Sequence, residues 1–404
     1  MSYAIAILGL GLLIFVHEAG HFFASLAVGL RPRKFYVGFP PPLVRTKRKG
    51  IEYGIGMIPL GGFVSIPGMH RPIPHDAERR FSRAVSEAPG LAGPADRVSR
   101  ALEENDLGAG LTALDELEAA MAGRKLSPAA LGAAEKGLTE LRDALGPDAY
   151  WKAPTWKRLV AIFAGPAANI ALALVLFSFL FATVGGRPSQ TVASVTEDYP
   201  AQKAGLLPGD RIVAIDGEPV SGEDLGDRVA ESGGRPLRIT VVREGREVTL
   251  APVSPKLTED GYRLGVVREG IGLPFVDAVR RAFEVTGRVT VLIGRGLGRL
   301  ATGEGRKDVA SPIGITQASS DAVERGAANY IWVLGLISLS LALLNLLPLL
   351  PLDGGHILFT LIEGARGKFV RREVYERVSV VGLAIVLLLF FIGLTNDIGR
   401  LIPG

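Results

Sequence analysis

Residues 17–21 read His-Glu-Ala-Gly-His, and this pentapeptide is where the chain can do chemistry. On a helix, positions i and i+4 share a face, so both imidazoles can reach one zinc ion. Glu18 then stands beside the metal, able to take a proton from a bound water. The motif lies inside an apolar stretch, roughly 20 Å along a helix that rises about 1.5 Å per residue, where ionisable groups are costly unless they face a cavity or coordinate something. A polar contact between helices is the plain alternative, but it needs neither both histidines nor the glutamate at this spacing.

Two histidines do not complete a site, because catalytic zinc usually takes three protein ligands and a water. The chain has no cysteine, which removes thiolate ligands, disulfides, cysteine nucleophiles and iron–sulfur clusters. The third ligand must come from Asp, Glu or the remaining histidines His70, His75 and His356. Asp353 stands out, since it follows an uncharged run over 326–352 within NLLPLLPLDGGH. Pro348, Pro351, Gly354 and Gly355 break the helix there and could turn the carboxylate inward. An aspartate exposed at a helix end would read the same way.

The elements that must position these residues are membrane spans. The mean hydropathy is +0.30, and 48% of the 404 residues are hydrophobic. A bilayer core of about 30 Å needs about 20 largely apolar residues to cross it. Four windows qualify: Met1 to Leu30, Leu159 to Val184, Gly326 to Leu352 and Val378 to Asn396. The first has no basic n-region, since its first Lys or Arg is Arg31, and it is too long for a signal-peptide core, so it reads as a retained span. Arg31 to Gly50 is basic without an acidic residue and is therefore placed in the cytoplasm. The N-terminus and the segment from Gly185 to Arg325 are then exported, and the basic loop around Arg366 to Arg372 is cytoplasmic. A net charge of +4 and 7% aromatics give no case for nucleic acid as a partner.

The resulting division is 1–30, a first span with the His-Glu motif; 31–75, a basic cytoplasmic loop and a glycine-rich, membrane-associated β segment; and 76–155, a cytoplasmic helical insertion. It continues with 156–185, the second span; 186–257, a β-rich exported domain; 258–325, an amphipathic region; 326–352, the third span; 353–377, a cytoplasmic loop; and 378–396, the fourth span. Within 76–148, leucines 111, 114, 117, 138, 141 and 145 have helical spacing, predicting two or three short amphipathic helices. Gly50 to Ser65 alternates like a strand or hairpin, and an open edge there is tolerable only if it is buried in protein or lines a cavity. Over 271–300, Phe275, Val279 and Phe283 share a face with arginines between them, which suits a short helix on the membrane surface or a solvated helix packed on the β-rich domain.

Taken in order, HEAGH in the first span, IPLGGFV at 58–64, AGPAAN at 164–169, the PDZ-like stretch PAQKAGLLPGDRIVAIDGEPV and NLLPLLPLDGG resemble the site-2 protease family, in its bacterial RseP-like branch. The resemblance covers the chain apart from 76–148. It implies a polytopic α-helical membrane protein with four transmembrane helices, a membrane-associated β-hairpin and an inserted PDZ domain. It also implies a zinc metalloendopeptidase of the bacterial inner membrane, with one Zn²⁺ per chain, that cuts single-pass membrane proteins within or near their spans. Anti-sigma factors and leftover signal peptides are such substrates in the family. By matched position, His17, His21 and Asp353 are the implied zinc ligands and Glu18 the general base. Gly61, Gly62 and Phe63 lie in the implied substrate-clamping strand, and Asn169 and Asn345 match asparagines near the active site. The PDZ-like domain implies a peptide or C-terminal partner held by strand addition. The chain departs from the family in Gly38-Phe39-Pro40-Pro41, in the place of Pro351 and in having one PDZ-like domain.

Two other classes compete. One is a catalytically idle membrane adaptor that recruits partners through its PDZ-like domain, against which the intact HEAGH and LDGG argue. The other is a zinc transporter or sensor, which would favour several ionisable residues along a path; the sequence offers one cluster.

Overall fold

The computed structural model describes residues 1–258 and 261–401. Its first helix, α1 (Ser2–Ala27), is apolar nearly all round and spans about 39 Å at 1.5 Å per residue. Strands β1 (Lys34–Arg48) and β2 (Ile51–Ser65) follow. Residues 34–37 of β1 lie between two stretches of β2, aligned with residues 52–55 on one side and, in reverse order, with 65–62 on the other. The same β2 residues 52–55 pair with residues 47–44 of β1. Two long strands thus fold over into a small curled sheet, in which the segment 62–65 is an edge.

The basic segment from Arg31 to Gly50 is therefore mostly strand, a correction to its reading as a loop. Its cations belong to the tail of β1, where residues 41–48 are exposed, and edge positions tolerate charge.

The insertion forms four helices, not two or three: α2 (Pro74–Glu87), α3 (Ala92–Glu103), α4 (Leu107–Met121) and α5 (Pro128–Leu145). They close around their own core of Phe81, Leu91, Val98, Leu102, Leu114, Leu117, Leu138, Leu141 and Leu145. Asp106 caps α4 by accepting from the Ala109 N–H at 2.9 Å, and Ser127 caps α5 by accepting from Ala130 at 3.2 Å. Ion pairs tie this bundle to the rest of the chain. Arg33, just before β1, reaches Asp143 at 2.8 Å and Asp148 at 3.0 Å, and Arg372 reaches Asp76 at 2.5 Å.

Helix α6 (Thr155–Thr183) runs from the insertion to the β-rich unit. That unit contains β3 (Arg187–Val195), α7 (Pro200–Lys203), β4 (Arg211–Ile215), β5 (Glu218–Pro219) and α8 (Asp224–Glu231). It continues through β6 (Ile239–Arg243), β7 (Arg246–Thr249), β8 (Lys256–Thr258), β9 (Gly261–Arg263) and β10 (Val266–Ile271). The main sheet runs β10-β3-β4-β6-β7, with β5 on β4. Because β10 closes this sheet beside β3, the unit extends to Ile271 and not to residue 257. Val192, Ile212, Ile239 and Val241 are fully buried in its core.

Helix α9 (Phe275–Ala301) is 27 residues long. Ala278, Ala282 and Val285 pack with Phe177 and Phe181 of α6, so it is neither short nor laid on the β-rich unit. Its outer surface divides into an arginine-bearing face and an apolar one with Val276 and Phe283, 76% and 60% exposed. Such a helix suits the boundary between lipid and water.

The chain ends with α10 (Pro312–Glu324), α11 (Ala327–Asn345), α12 (Asp353–Arg366) and α13 (Arg372–Leu401). Among the described residues, α1, α6, α11 and α13 are long and apolar enough to cross a membrane. The uncharged run over 326–352 is helical only as far as Asn345; Leu346 to Leu352 turns back over the start of α12.

Candidate metal centre

Three elements distant in sequence meet at the motif. α1 supplies His17 and His21, each 7% exposed. α6 is its back wall, and the approach is close because the contact residues are small. A Cβ on Gly20 would lie 2.4 Å from the Ala164 carbonyl oxygen, and one on Gly165 would lie 2.2 Å from His21 Nε2. Neither position has room for a side chain.

The N-terminus of α12 brings Asp353. A Cβ on Gly354 would fall 2.3 Å from the Leu346 carbonyl oxygen, and one on Gly355 would fall 2.5 Å from the Leu350 amide nitrogen. The two glycines let the returning segment lie directly on the helix start, and this fixes the aspartate.

His17 Nε2 lies 3.2 Å from Asp353 Oδ2, His21 Nε2 lies 3.3 Å from the same oxygen, and the two imidazole nitrogens are 3.3 Å apart. His21 Nδ1 is 2.9 Å from the Ala161 carbonyl oxygen. A carbonyl can only accept, so Nδ1 carries the proton and Nε2 presents a lone pair to the centre of the triangle. Pro166 lies inside α6 and takes the donor from the Ile162 carbonyl, loosening the helix ladder beside the carbonyl that orients His21.

Three lone-pair atoms converging in a buried place call for a cation. Zinc bonds of about 2.0–2.1 Å in a tetrahedron put ligand atoms roughly 3.3–3.4 Å apart, matching the triangle and leaving a fourth position for water. These residues fit zinc. His17 Nδ1 is buried with no protein partner.

Glu18 faces the β-sheet. A Cβ on Gly62 would lie 2.7 Å from Glu18 Cγ, and the Val64 backbone faces the same carboxylate. The half-buried segment Gly61 to Val64 therefore runs past the motif with no strand paired to its outer edge among the described residues. Phe63 turns the other way and stacks on Tyr36 at 5.1 Å, whose hydroxyl donates to Glu52 at 2.6 Å.

The two asparagines differ. Asn169 is fully buried one helical turn beyond Gly165, and neither amide atom has a partner among the described residues. Asn345 donates to the Leu341 carbonyl of its own helix at 3.0 Å and is not drawn to the triangle.

The other histidines stand outside it. His75 is exposed beside Glu78, His70 packs edge-on to Tyr375 at 4.3 Å, and His356 is hydrogen-bonded to the Tyr375 hydroxyl. His70, His356 and Tyr375 line a cavity of about 390 Å³ between the insertion, α6, α12 and α13. Sequence reasoning missed Gly20, Gly165 and the Ala161 carbonyl. Their signal is the run of small residues in HEAGH and AGPAAN.

The sequence of the chain matches peptidase family M50 over residues 5–389. A protein of Agrobacterium fabrum that carries a zinc-metalloprotease name is 32% identical over 98% of this chain and 95% of its own length. Zinc metalloprotease RasP of Geobacillus kaustophilus is 28% identical over 96% of each chain. The regulator of sigma-W protease RasP of Bacillus subtilis is 29% identical over 97% of this chain and 96% of its own. With the histidine–aspartate triangle among the matched residues, the chain belongs to peptidase family M50, the site-2 protease family, and is a zinc metalloprotease of the membrane.

Proposed function

We propose that this protein is an intramembrane endopeptidase that cuts single-pass membrane proteins within or near their spans in regulated intramembrane proteolysis. The observation carrying this reading is the joint placement of the triangle, Glu18 and the unpaired edge at Gly61 to Val64 among spanning helices. His17, His21 and Asp353 would hold the zinc. When bound, zinc acts as a Lewis acid and makes water a nucleophile near neutral pH.

Glu18 takes the proton from the attacking water and returns it to the leaving nitrogen. A substrate helix offers no accessible bond, because its amides are already paired. The edge at residues 61–64 supplies replacement backbone partners to an unwound stretch and holds it against Glu18. Asn169, with a buried and unpartnered amide, is the better candidate to hold substrate backbone; Asn345 would first have to leave the Leu341 carbonyl.

The insertion and the β-rich unit sit at opposite ends of α6. With the basic β1 tail and the loop before α13 in the cytoplasm, the β-rich unit and the N-terminus lie outside the inner membrane of a bacterial cell. In this reading the β-rich unit is a PDZ domain whose edge takes an extended peptide or C-terminus, supported by the PDZ-like stretch at 200–220. Regulators of the anti-sigma-factor kind are the favoured substrates, in keeping with the sigma-W name of the Bacillus relative. Remnant signal peptides are a further class.

The test compares the membrane proteome of cells carrying the intact protein with that of cells carrying Glu18→Gln. Single-pass proteins that keep their spans uncut should accumulate in the variant. Identical proteomes under conditions where the protein is abundant would overturn the proposal.

A further inference from the structure

In the main sheet of the β-rich unit β10 is an edge strand, bonded among the described residues to β3 on one side only. Beside α8 lies a cleft of about 250 Å³, with Leu225, Gly226 and Val229 on the helix side and, opposite, Tyr262 and Arg263 of β9, the connection Leu264–Gly265, and Val266 and Arg268 of β10. The pairing with β3 slips between Val267 and Arg268, so that Arg268 opposes Val192. Arg268 reaches across the cleft: Nη1 donates to the Gly222 carbonyl, and Nη2 lies 3.9 Å from where a Cβ on Gly226 would be. The side chain is half-buried, and among the described residues it forms no ion pair. Among the described residues, those lining the cleft include Arg263 and Arg268 and no carboxylate.

A guanidinium has five donors, and a partly desolvated charge is costly without an anionic partner. We infer that Arg268 selects the peptide this unit binds: the occupant is an extended segment adding to the free edge of β10, with an Asp or Glu side chain facing Arg268. The inference rests on the peptide-binding reading of the β-rich unit. Strand addition supplies affinity through backbone bonds common to any sequence, so discrimination must come from side chains in the cleft. Leu225, Val229 and Val266 offer apolar contact, and Arg268, which reaches across to Gly222, reads charge. A carboxylate would form a charge-assisted pair with it. A lysine at the same place would face the like charge of the Arg268 guanidinium.

The test uses the full chain in detergent micelles and fluorescein-labelled octapeptides in which Thr alternates with Glu, Gln or Lys. Fluorescence anisotropy should rank Glu over Gln by about tenfold in Kd, the worth of one good charge pair, with Lys weakest. Arg268→Gln should bring the Glu and Gln peptides together, and Arg268→Lys should keep part of the preference, with unchanged melting confirming the fold. Arg246→Gln on β7 controls for general attraction to a basic protein and should leave the ranking intact. Equal binding of all three peptides, or a ranking unmoved in Arg268→Gln, would overturn the inference while peptide binding itself stands. Absence of binding by every peptide would overturn both.

Discussion

Gly165 of α6 and His21 of α1 are pressed so closely that a single methyl group on the glycine would lie 2.2 Å from the metal-facing nitrogen. The back wall of the centre is thus set by the absence of a side chain, and the next carbonyl of that wall to matter, Ala161, fixes the imidazole tautomer. Gly165→Ala should turn the His21 ring out of line and lower zinc affinity about 10- to 100-fold, as losses of supporting contacts around metals do. Metal retention after dialysis against graded chelator measures this. Retention equal to that of the unmodified protein would contradict the packing argument.

Glu18 touches the Gly62 edge and holds no metal in this account. Glu18→Gln keeps the shape of the side chain and removes its ability to take a proton. Zinc content should stay near that of the parent, while cleavage of a tagged single-pass substrate should fall by about 100- to 10,000-fold. Loss of zinc together with activity would move Glu18 from base to ligand.

Arg33 joins the start of β1 to Asp143 and Asp148 of the insertion. The insertion therefore holds the sheet whose far edge meets Glu18. Arg33→Ala should loosen that attachment by about 1 kcal/mol, the scale of a partly exposed charge-assisted contact. Residues 31–75 should become more open to limited proteolysis, and substrate cleavage should slow several-fold with zinc unchanged. Faster or unchanged cleavage would separate the insertion from the sheet.

In the β-rich unit, the Asp210 carboxylate accepts from Arg243 through both oxygens at 2.7 Å, and this guanidinium holds its pKa below the usual value. A carboxylate depressed in the folded state stabilises above its unfolded value of about 3.9 and loses that contribution as pH falls through the folded value. Asp210→Asn should therefore melt earlier than the parent at pH 7, and the gap should narrow as pH drops below about 4. A gap independent of pH would assign the effect to packing instead.

The chemistry was legible because the two histidines are four residues apart on one helix and because a lone aspartate after an uncharged run needs a reason to be there. The spans were legible from length and charge alone. The β1 strand was hidden by Lys47, Arg48 and Pro40 to Pro42, a composition that reads as loop; its partner is β2, and pairing cannot be seen from one strand. The insertion showed only its leucines, whereas α2 packs through Ala77, Phe81 and Ala84, a face too sparse to stand out. The end of the β-rich unit was missed because β10 follows short strands and pairs back to β3. Helix α9 has two apolar faces, one for α6 and one outward, which blurs the single stripe that sequence reading looks for.

The account depends on one zinc ion shared by α1 and α12. Metal analysis of the purified protein, with X-ray absorption at the zinc edge, tests this most directly. The expected result is about one zinc per chain in the parent and in Glu18→Gln, bound by two imidazole nitrogens and carboxylate oxygen. Occupancy should fall below about a tenth in Asp353→Ala, as in His17→Ala and His21→Ala. Full zinc in Asp353→Ala, with an unchanged absorption spectrum, would contradict the joint site.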